Sequence, residues 1–210
     1  MNIAHRRYSD GIEQELSDHL LGVSEKAGFF AGKIGLQSHG ELIGLLHDLG
    51  KYSREFQRYI KSVVGLIDPD EDDFVEVKSK RGKIDHSTAG AQLIWRKLSK
   101  NGQLGKVAGQ VLSICIASHH SGLVDCIGVT GDAFGEDLFT RRINKAEQRV
   151  HLQEVLCNAD AMVMERVNSL KNSPDLIDGI RHAFARIIRK QPEKDDKSPV
   201  VQFQFSLLVR

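Results

Sequence analysis

Apolar residues recur at spacings of three and four through most of this chain, and this periodicity constrains the fold more than any other feature. Such spacing places apolar side chains on one face of an α-helix, where they can pack into a core. The pattern predicts helices near residues 12–34, 40–49, 53–66, 87–100, 103–118, 137–171 and 174–190. We therefore expect an all-α helical bundle, and the length of 210 residues suits a single domain.

Three stretches depart from the helical pattern. Residues 68–85 begin with five acidic residues and continue with four basic ones, which is typical of a solvated loop or a short charged hairpin. We favour a mobile loop, whose Lys78, Lys80, Arg81 and Lys83 could contact a phosphate backbone. The glycine-rich stretch 122–137 is expected to be irregular and could form one wall of a cleft. After a helical core at 1–192, residues 193–210 read as a polar linker and a strand-like tail, which predicts a small β element. The N-terminal stretch "MNIAHRRY" is one candidate partner for that strand.

Charge and composition exclude several classes of protein. Lysine and arginine total 29 against 28 aspartates and glutamates, so overall charge does not draw the chain to nucleic acid or to a membrane. No stretch has the length of a transmembrane helix, and the N-terminus lacks the apolar core of a signal peptide. Three widely spaced cysteines without a CxxC pair argue against disulfides and a thiolate zinc site. We expect a soluble, cytoplasmic protein with no membrane partner.

Polar residues in apolar surroundings point to chemistry. In "LLHDLGK", His47 and Asp48 interrupt a run that otherwise reads as buried helix, and a buried aspartate requires a hydrogen-bond network, a counter-charge or a metal. The other members of the set also lie in or at the end of predicted helices, and they are His19, His86, His119, His120 and Asp160. Five imidazoles and two carboxylates are enough ligands for two metal ions. Imidazole together with carboxylate suits manganese, iron, cobalt, nickel or zinc.

The order of these residues resembles the HD superfamily of metal phosphohydrolases. The elements are an Ala4-His5 pair, His19-Leu20 with Val23, "LLHDLGKYSREFQRY", His86 with Gly90-Ala91, "HHSGL" from His119, and Ala159-Asp160. In this order they are similar to one branch, the HD nuclease of type I CRISPR systems, over roughly residues 4–165.

The resemblance implies how the ligands would be shared between two divalent transition-metal ions. His19, His47, Asp48 and Asp160 would hold one ion, and Asp48, His86, His119 and His120 the other, so that Asp48 bridges. Manganese, iron, cobalt and nickel are the favoured metals, with magnesium as a further option. Lys51 is either a cation at a helix end or a catalytic residue that reaches a substrate phosphate, and we favour the second role.

The resemblance also implies the reaction and its partners. We expect hydrolysis of phosphodiester bonds in single-stranded DNA. A CRISPR helicase would deliver this strand after a guide-RNA surveillance complex has opened the target. The chain has no GxxxxGK[ST] loop, so the helicase would be a separate subunit or another part of a longer protein. One alternative is an HD phosphohydrolase of nucleotides or cyclic nucleotides. The other is a non-catalytic adaptor whose metals hold helices together.

Several nearby residues are given no catalytic role. Phe56 and Gln57 are interpreted as a packing residue and a surface contact, and His151 and His182 as ordinary histidines. His5 is left unassigned.

Overall fold

The protein is described by a computed structural model that covers residues 1–7, 9–69, 71, 73–76, 84–120, 126–130 and 133–188. Helices dominate the described chain, which confirms the predicted all-α class. The α-helices are α1 (Leu16–Gly32), α2 (Gln37–Leu46), α3 (Arg54–Val63), α4 (Thr88–Leu98), α5 (Gly102–Ser118), α6 (Leu138–Ile143), α7 (Glu147–Val150), α8 (Leu152–Asn158), α9 (Ala161–Lys171) and α10 (Asp175–Ile188). A 3-10 helix spans Leu49–Tyr52.

Two short antiparallel hairpins accompany the helices. Strand β1 (Ile3–Arg6) pairs with β2 (Glu13–Glu15), and β3 (Ile127–Thr130) pairs with β4 (Ala133–Asp137). The start of the predicted helix 12–34 is therefore a strand, and part of the supposedly irregular stretch 122–137 is a hairpin. Strands this short show no clear alternation of apolar and polar residues, so the sequence pattern does not reveal them. They are stabilised by pairing with another strand.

Helices α1 and α2 pack side by side, as do α4 and α5, around one core. Its largest fully buried side chains include Leu20, Leu45, Leu46, Ile94 and Leu112. Gly90 allows α4 to approach α2 closely, because a Cβ atom at this position would lie 2.1 Å from the backbone oxygen of Leu46. This crossing brings the start of α4 next to the end of α2, where the His-Asp pair lies.

The long predicted helix 137–171 is broken into four helices, α6 to α9. His151 has a φ of 54° and separates α7 from α8, since a left-handed residue cannot continue a right-handed helix. A second break falls at Ala159-Asp160, between α8 and α9. Asp160 therefore lies between two helices and directly precedes the first turn of α9.

Some predictions fall outside the described residues. They include the strand-like tail at 193–210, the basic part of the charged segment 68–85, and residues 122–125 of the glycine-rich stretch. Among the described helices, none has both the length and the apolar character that crossing a membrane requires.

Candidate metal centre

The aspartate of the His-Asp pair lies at the centre of a cluster of histidines. Asp48 is only 2% exposed. Its Oδ2 atom lies 3.1 Å from the Nε2 atoms of both His19 and His47. Its Oδ1 atom lies 3.3 Å from Nε2 of His119 and 3.6 Å from Nε2 of His86. Each carboxylate oxygen therefore faces its own pair of imidazoles.

The side of the cluster at Oδ1 includes a fourth residue. The Nε2 atoms of His120 and His86 are 2.9 Å apart, and His120 is exposed at the rim. One potential ligand atom from each of Asp48, His86, His119 and His120 lies within 4.8 Å of the others. This set could hold a metal ion, and it is the group that the sequence resemblance implies for one of the two metals.

The ends of helices direct most of these side chains toward one point. His47 follows the last residue of α2, and Asp48 precedes the 3-10 helix, so the pair lies at a junction and not inside a helix. His119 follows the last residue of α5, whereas His19 projects from within α1. At the end of a helix the backbone direction changes, so consecutive residues can point into the same small space.

The glycine of "HDLGK" holds His86 in place. The backbone N–H of Gly50 donates a hydrogen bond of 3.1 Å to the backbone oxygen of His86. A Cβ atom at position 50 would lie 2.3 Å from that same oxygen. Only glycine allows this approach, so Gly50 fixes the distance between His86 and Asp48.

Lys51 is buried beside the carboxylate. It is 3% exposed, and its Nζ atom lies 2.8 Å from Oδ2 of Asp48. The ammonium also donates to the backbone oxygen of Ala4 at 3.4 Å and lies 5.6 Å from the centre of the Phe56 ring. Its charge therefore acts on Asp48 directly, while the predicted contact with a substrate phosphate stays a prediction.

Backbone carbonyls fix the tautomers of three cluster histidines. The Nδ1 atoms of His47 and His119 each lie 2.8 Å from a carbonyl oxygen, of Gly44 and Ile116 respectively. His86 makes the same contact with Ile84 at 3.2 Å. Because a carbonyl can only accept, each Nδ1 carries a proton, and the tautomer protonated at Nδ1 presents the lone pair of Nε2 to the cluster.

This arrangement fits a divalent cation. Asp48 Oδ1 and His119 Nε2 are buried, and neither has a hydrogen-bond partner among the described residues. Both are electron-pair donors, so bringing them within 3.3 Å is unfavourable unless a cation lies between their lone pairs. The carbonyl contact at the outer nitrogen is the support that metal-binding histidines typically have.

The ionisation of the cluster agrees with this interpretation. Burial opposes the charge on Asp48, but the Lys51 cation at 2.8 Å favours it, and the pKa of Asp48 lies below its usual range. Burial lowers the pKa of His86 to about 4, with Asp48 opposing and Lys51 adding to the effect. Burial also lowers the pKa of His120. An ionised carboxylate and neutral imidazoles are the forms that bind metals.

Comparison with known families decides the identity of the domain. The family described as Cas3, HD domain matches residues 7–185. The chain belongs to this family. It is therefore an HD-type nuclease domain of the kind found in type I CRISPR systems, and a metal-dependent hydrolase of the HD family. A comparison with curated proteins gave no match.

One expected ligand of this Cas3 HD domain contacts a different residue. The Asp160 carboxylate accepts a hydrogen bond of 2.7 Å from the hydroxyl of Tyr52. It belongs to neither group of potential ligands found among the described residues. Burial and this hydrogen bond raise the pKa of Tyr52, so its hydroxyl remains a donor to Asp160. The assignment of Asp160 as a metal ligand stays a prediction.

Two residues of the Cas3 HD domain contribute more than the sequence analysis expected. Gln57 is 6% exposed, so its interpretation as a surface contact was wrong. Its side chain bonds both backbone groups of Ile3 and the backbone oxygen of Lys51. His5, which had no assigned role, lies in β1 beside His19, with ring centroids 4.8 Å apart. The Ala4-His5 pair was the only sequence signal for it.

His151 and His182 lie apart from the metal centre. The imidazole of His151 lies between Glu55 and Glu154, at 3.3 and 3.6 Å. His182 lies on the exposed side of α10, in a cavity that it lines with Asp175 and Asp178.

Proposed function

We propose that this Cas3 HD domain hydrolyses phosphodiester bonds of single-stranded DNA with two divalent transition-metal ions, as the nuclease of type I CRISPR interference. The observation that carries the proposal is the position of Asp48, whose two oxygens each face a separate group of imidazole nitrogens. One carboxylate can then bind two cations at once. Membership of the family supports a nucleic-acid substrate and a CRISPR helicase context.

Each group of ligands has a defined task in this proposal. His19, His47 and Asp48 would hold one cation, and Asp48, His86, His119 and His120 would hold the other. Asp160 completes the first group in the family's pattern. Manganese, iron, cobalt and nickel suit these nitrogen and oxygen donors, and magnesium is a further option. When bound, two such ions stabilise the charge that develops on a phosphodiester during hydrolysis and lower the pKa of water toward neutrality.

The residues of the chain position and balance these charges. Lys51 neutralises part of the negative charge on Asp48 from the buried side, at 2.8 Å. Among the described residues, His120 is exposed at the rim of the cluster, where a polymeric substrate could reach it. The near balance of 29 basic and 28 acidic residues supports a helicase partner, separate or fused, that supplies much of the affinity for the strand.

A cleavage assay on circular single-stranded DNA tests the proposal. The substrate is offered with each candidate metal to metal-depleted protein, alongside a panel of nucleotides and cyclic nucleotides. We expect the circle to be opened, because only an endonuclease can cut a strand without ends. The Asp48→Ala variant is the matched control and should leave the circle intact.

Two other outcomes would replace the proposal. Turnover of nucleotides with intact circles would assign a nucleotide phosphohydrolase. Stoichiometric metal binding without hydrolysis of any substrate would assign an adaptor whose metals hold the helices together.

A further inference from the structure

The two sides of Asp48 are unequally supplied with ligands. On the Oδ1 side, three imidazoles accompany the carboxylate in one compact group. On the Oδ2 side, the sequence resemblance supplies His19, His47 and Asp160. However, the Asp160 carboxylate is engaged by Tyr52 and lies outside the potential ligand groups of the described residues. Without Asp160, the implied ligands on the Oδ2 side are His19, His47 and Asp48, which is one donor fewer than on the Oδ1 side.

His5 is close enough to be that donor. One potential ligand atom from each of His5, His19 and Asp48 lies within 4.8 Å of the others. Its ring meets the ring of His19 edge to face, at an interplanar angle of 78°. Nε2 of His5 lies 3.4 Å from Nζ of Lys51. An ammonium can only donate, so this contact indicates a lone pair on Nε2. The same ammonium lies 2.8 Å from Oδ2 of Asp48.

The strand that carries His5 is held rigidly. Gln57 accepts from the N–H of Ile3 at 2.9 Å and donates to its carbonyl oxygen at 3.1 Å. The same amide donates to the backbone oxygen of Lys51 at 2.8 Å, so β1 is tied to the segment that follows Asp48. Pairing with β2 is irregular between Ile3 and His5. Such bulges redirect side chains beside functional sites.

We propose that His5 is a ligand of the metal ion held by His19 and Asp48. The inference rests on the proposed two-metal site, and it adds one imidazole to the ligands implied by the family's pattern. The Nε2 lone pair of His5 faces the Lys51 ammonium in this structure. In the metal-bound protein, the same lone pair would bind the cation on the Oδ2 side. His5 thereby acts through the metal, and β1 becomes part of the metal centre.

Direct ligation is tested spectroscopically with cobalt. The His5→Cys variant is depleted of metal and titrated with Co²⁺ under anaerobic conditions without DNA. If residue 5 is a ligand, a thiolate–cobalt charge-transfer band appears in the near ultraviolet, because the band requires a bond between sulfur and metal. The parental protein, with its three native cysteines, and Leu104→Cys, which places a thiol at a 44% exposed site on α5, should show no band.

Metal affinity gives an independent measurement. His5→Ala should lower the affinity for one of two Mn²⁺ ions by about tenfold or more and leave the affinity for the other unchanged. Thermal unfolding of the metal-free variant should match that of the parental protein, since His5 is exposed on its strand. Absence of the cobalt band in metal-loaded His5→Cys, or parental affinity for both ions in His5→Ala, would overturn the assignment.

These readouts separate the inference from the proposed function. If the band appears but the parental protein cuts no DNA, the nuclease proposal fails and the ligand assignment stands. If the parental protein opens circular DNA but the band is absent, only the assignment of His5 fails.

Discussion

At the scale of single residues, the metal centre depends on which ring nitrogen of each histidine carries the proton. The Nδ1 atoms of His47, His86 and His119 face backbone carbonyls, so their Nε2 lone pairs converge on Asp48. Without a cation, these lone pairs and the carboxylate oxygens would repel one another in a buried site. Bound metal turns the same arrangement into a stabilising one, and metal binding then contributes to folding.

Replacing the central carboxylate tests whether it holds both ions. Asp48→Ala removes one ligand atom from each side of the cluster, so both ions should be lost and DNA cleavage abolished. His86→Ala should mainly deplete the Oδ1 side, and His19→Ala the Oδ2 side. The measurements are metal content per chain and cleavage rate, with His182→Ala as the unaffected control. Two fully occupied sites in Asp48→Ala would show that the carboxylate does not bridge.

Lys51 allows charge to be separated from metal coordination. Lys51→Met keeps most of the buried stem but removes the ammonium that lies 2.8 Å from Asp48. Both ions should remain bound, while the cleavage rate should fall by roughly 10- to 1,000-fold if the cation stabilises developing charge. Metal content and cleavage are measured on the same preparation. A parental rate would leave Lys51 as a structural counter-ion of Asp48.

At the scale of elements, close backbone contacts position the ligands. Gly50 touches the backbone of His86, and Gly90 touches the end of α2. Gln57 ties β1 to the segment that follows Asp48. None of these residues is a ligand, yet each sets the distance between two elements that carry ligands.

Gly50→Ala should damage the metal centre without changing any ligand. The new methyl group would overlap the carbonyl of His86, and relieving this overlap should cost about 1–3 kcal/mol of stability and move His86 away from Asp48. Gly22→Ala is the matched control, because nothing lies within 4 Å of its added Cβ in α1. This control should stabilise the protein by about 0.5–1 kcal/mol. The measurements are the free energy of unfolding in urea and the metal content per chain. Parental values of both in Gly50→Ala would show that Gly50 does not position His86.

His39 should make stability depend on pH at the contact between α2 and α10. It is 4% exposed, and its Nε2 lies 2.9 Å from the backbone oxygen of Leu176. Burial lowers the pKa of His39 below 6.5, although the Leu176 contact and Asp175 oppose this. Below pH 6.5 the unfolded chain therefore binds more protons than the folded protein at this residue, so stability falls as pH falls.

The His39→Gln variant isolates this contribution. Glutamine can still donate to Leu176 but does not titrate, so the unfolding free energy of the variant should fall less steeply below pH 6.5 than that of the parental protein. Denaturant unfolding across this range measures the difference. Parallel pH profiles would mean that His39 does not contribute.

At the scale of the whole molecule, the near-neutral overall charge of +1 makes local charge important for DNA binding. The four basic residues of the charged segment are Lys78, Lys80, Arg81 and Lys83, and they precede His86 in the sequence. Replacing all four with glutamine should weaken single-stranded DNA binding and flatten its salt dependence, because fewer counterions are released. Binding titrations at several salt concentrations measure both. Unchanged affinity and slope would assign the segment to a solvated surface.

The sequence by itself determined the helical class, because side-chain periodicity is a local property that survives without knowledge of packing. It also determined the family, since the order of "LLHDLGK" and the His119-His120 pair is written in the chain. Placing β2 in a helix was an error of the same local method, because strand pairing depends on a partner elsewhere in the chain.

Only the tertiary structure decided which atoms meet. The contact of Tyr52 with Asp160 and the proximity of His5 to His19 join residues on different elements. Sequence spacing cannot provide these distances, because helix crossings and close glycine contacts set them. The physical reason is that metal-binding geometry is fixed at the scale of an ångström, whereas periodicity specifies only which face of an element is buried.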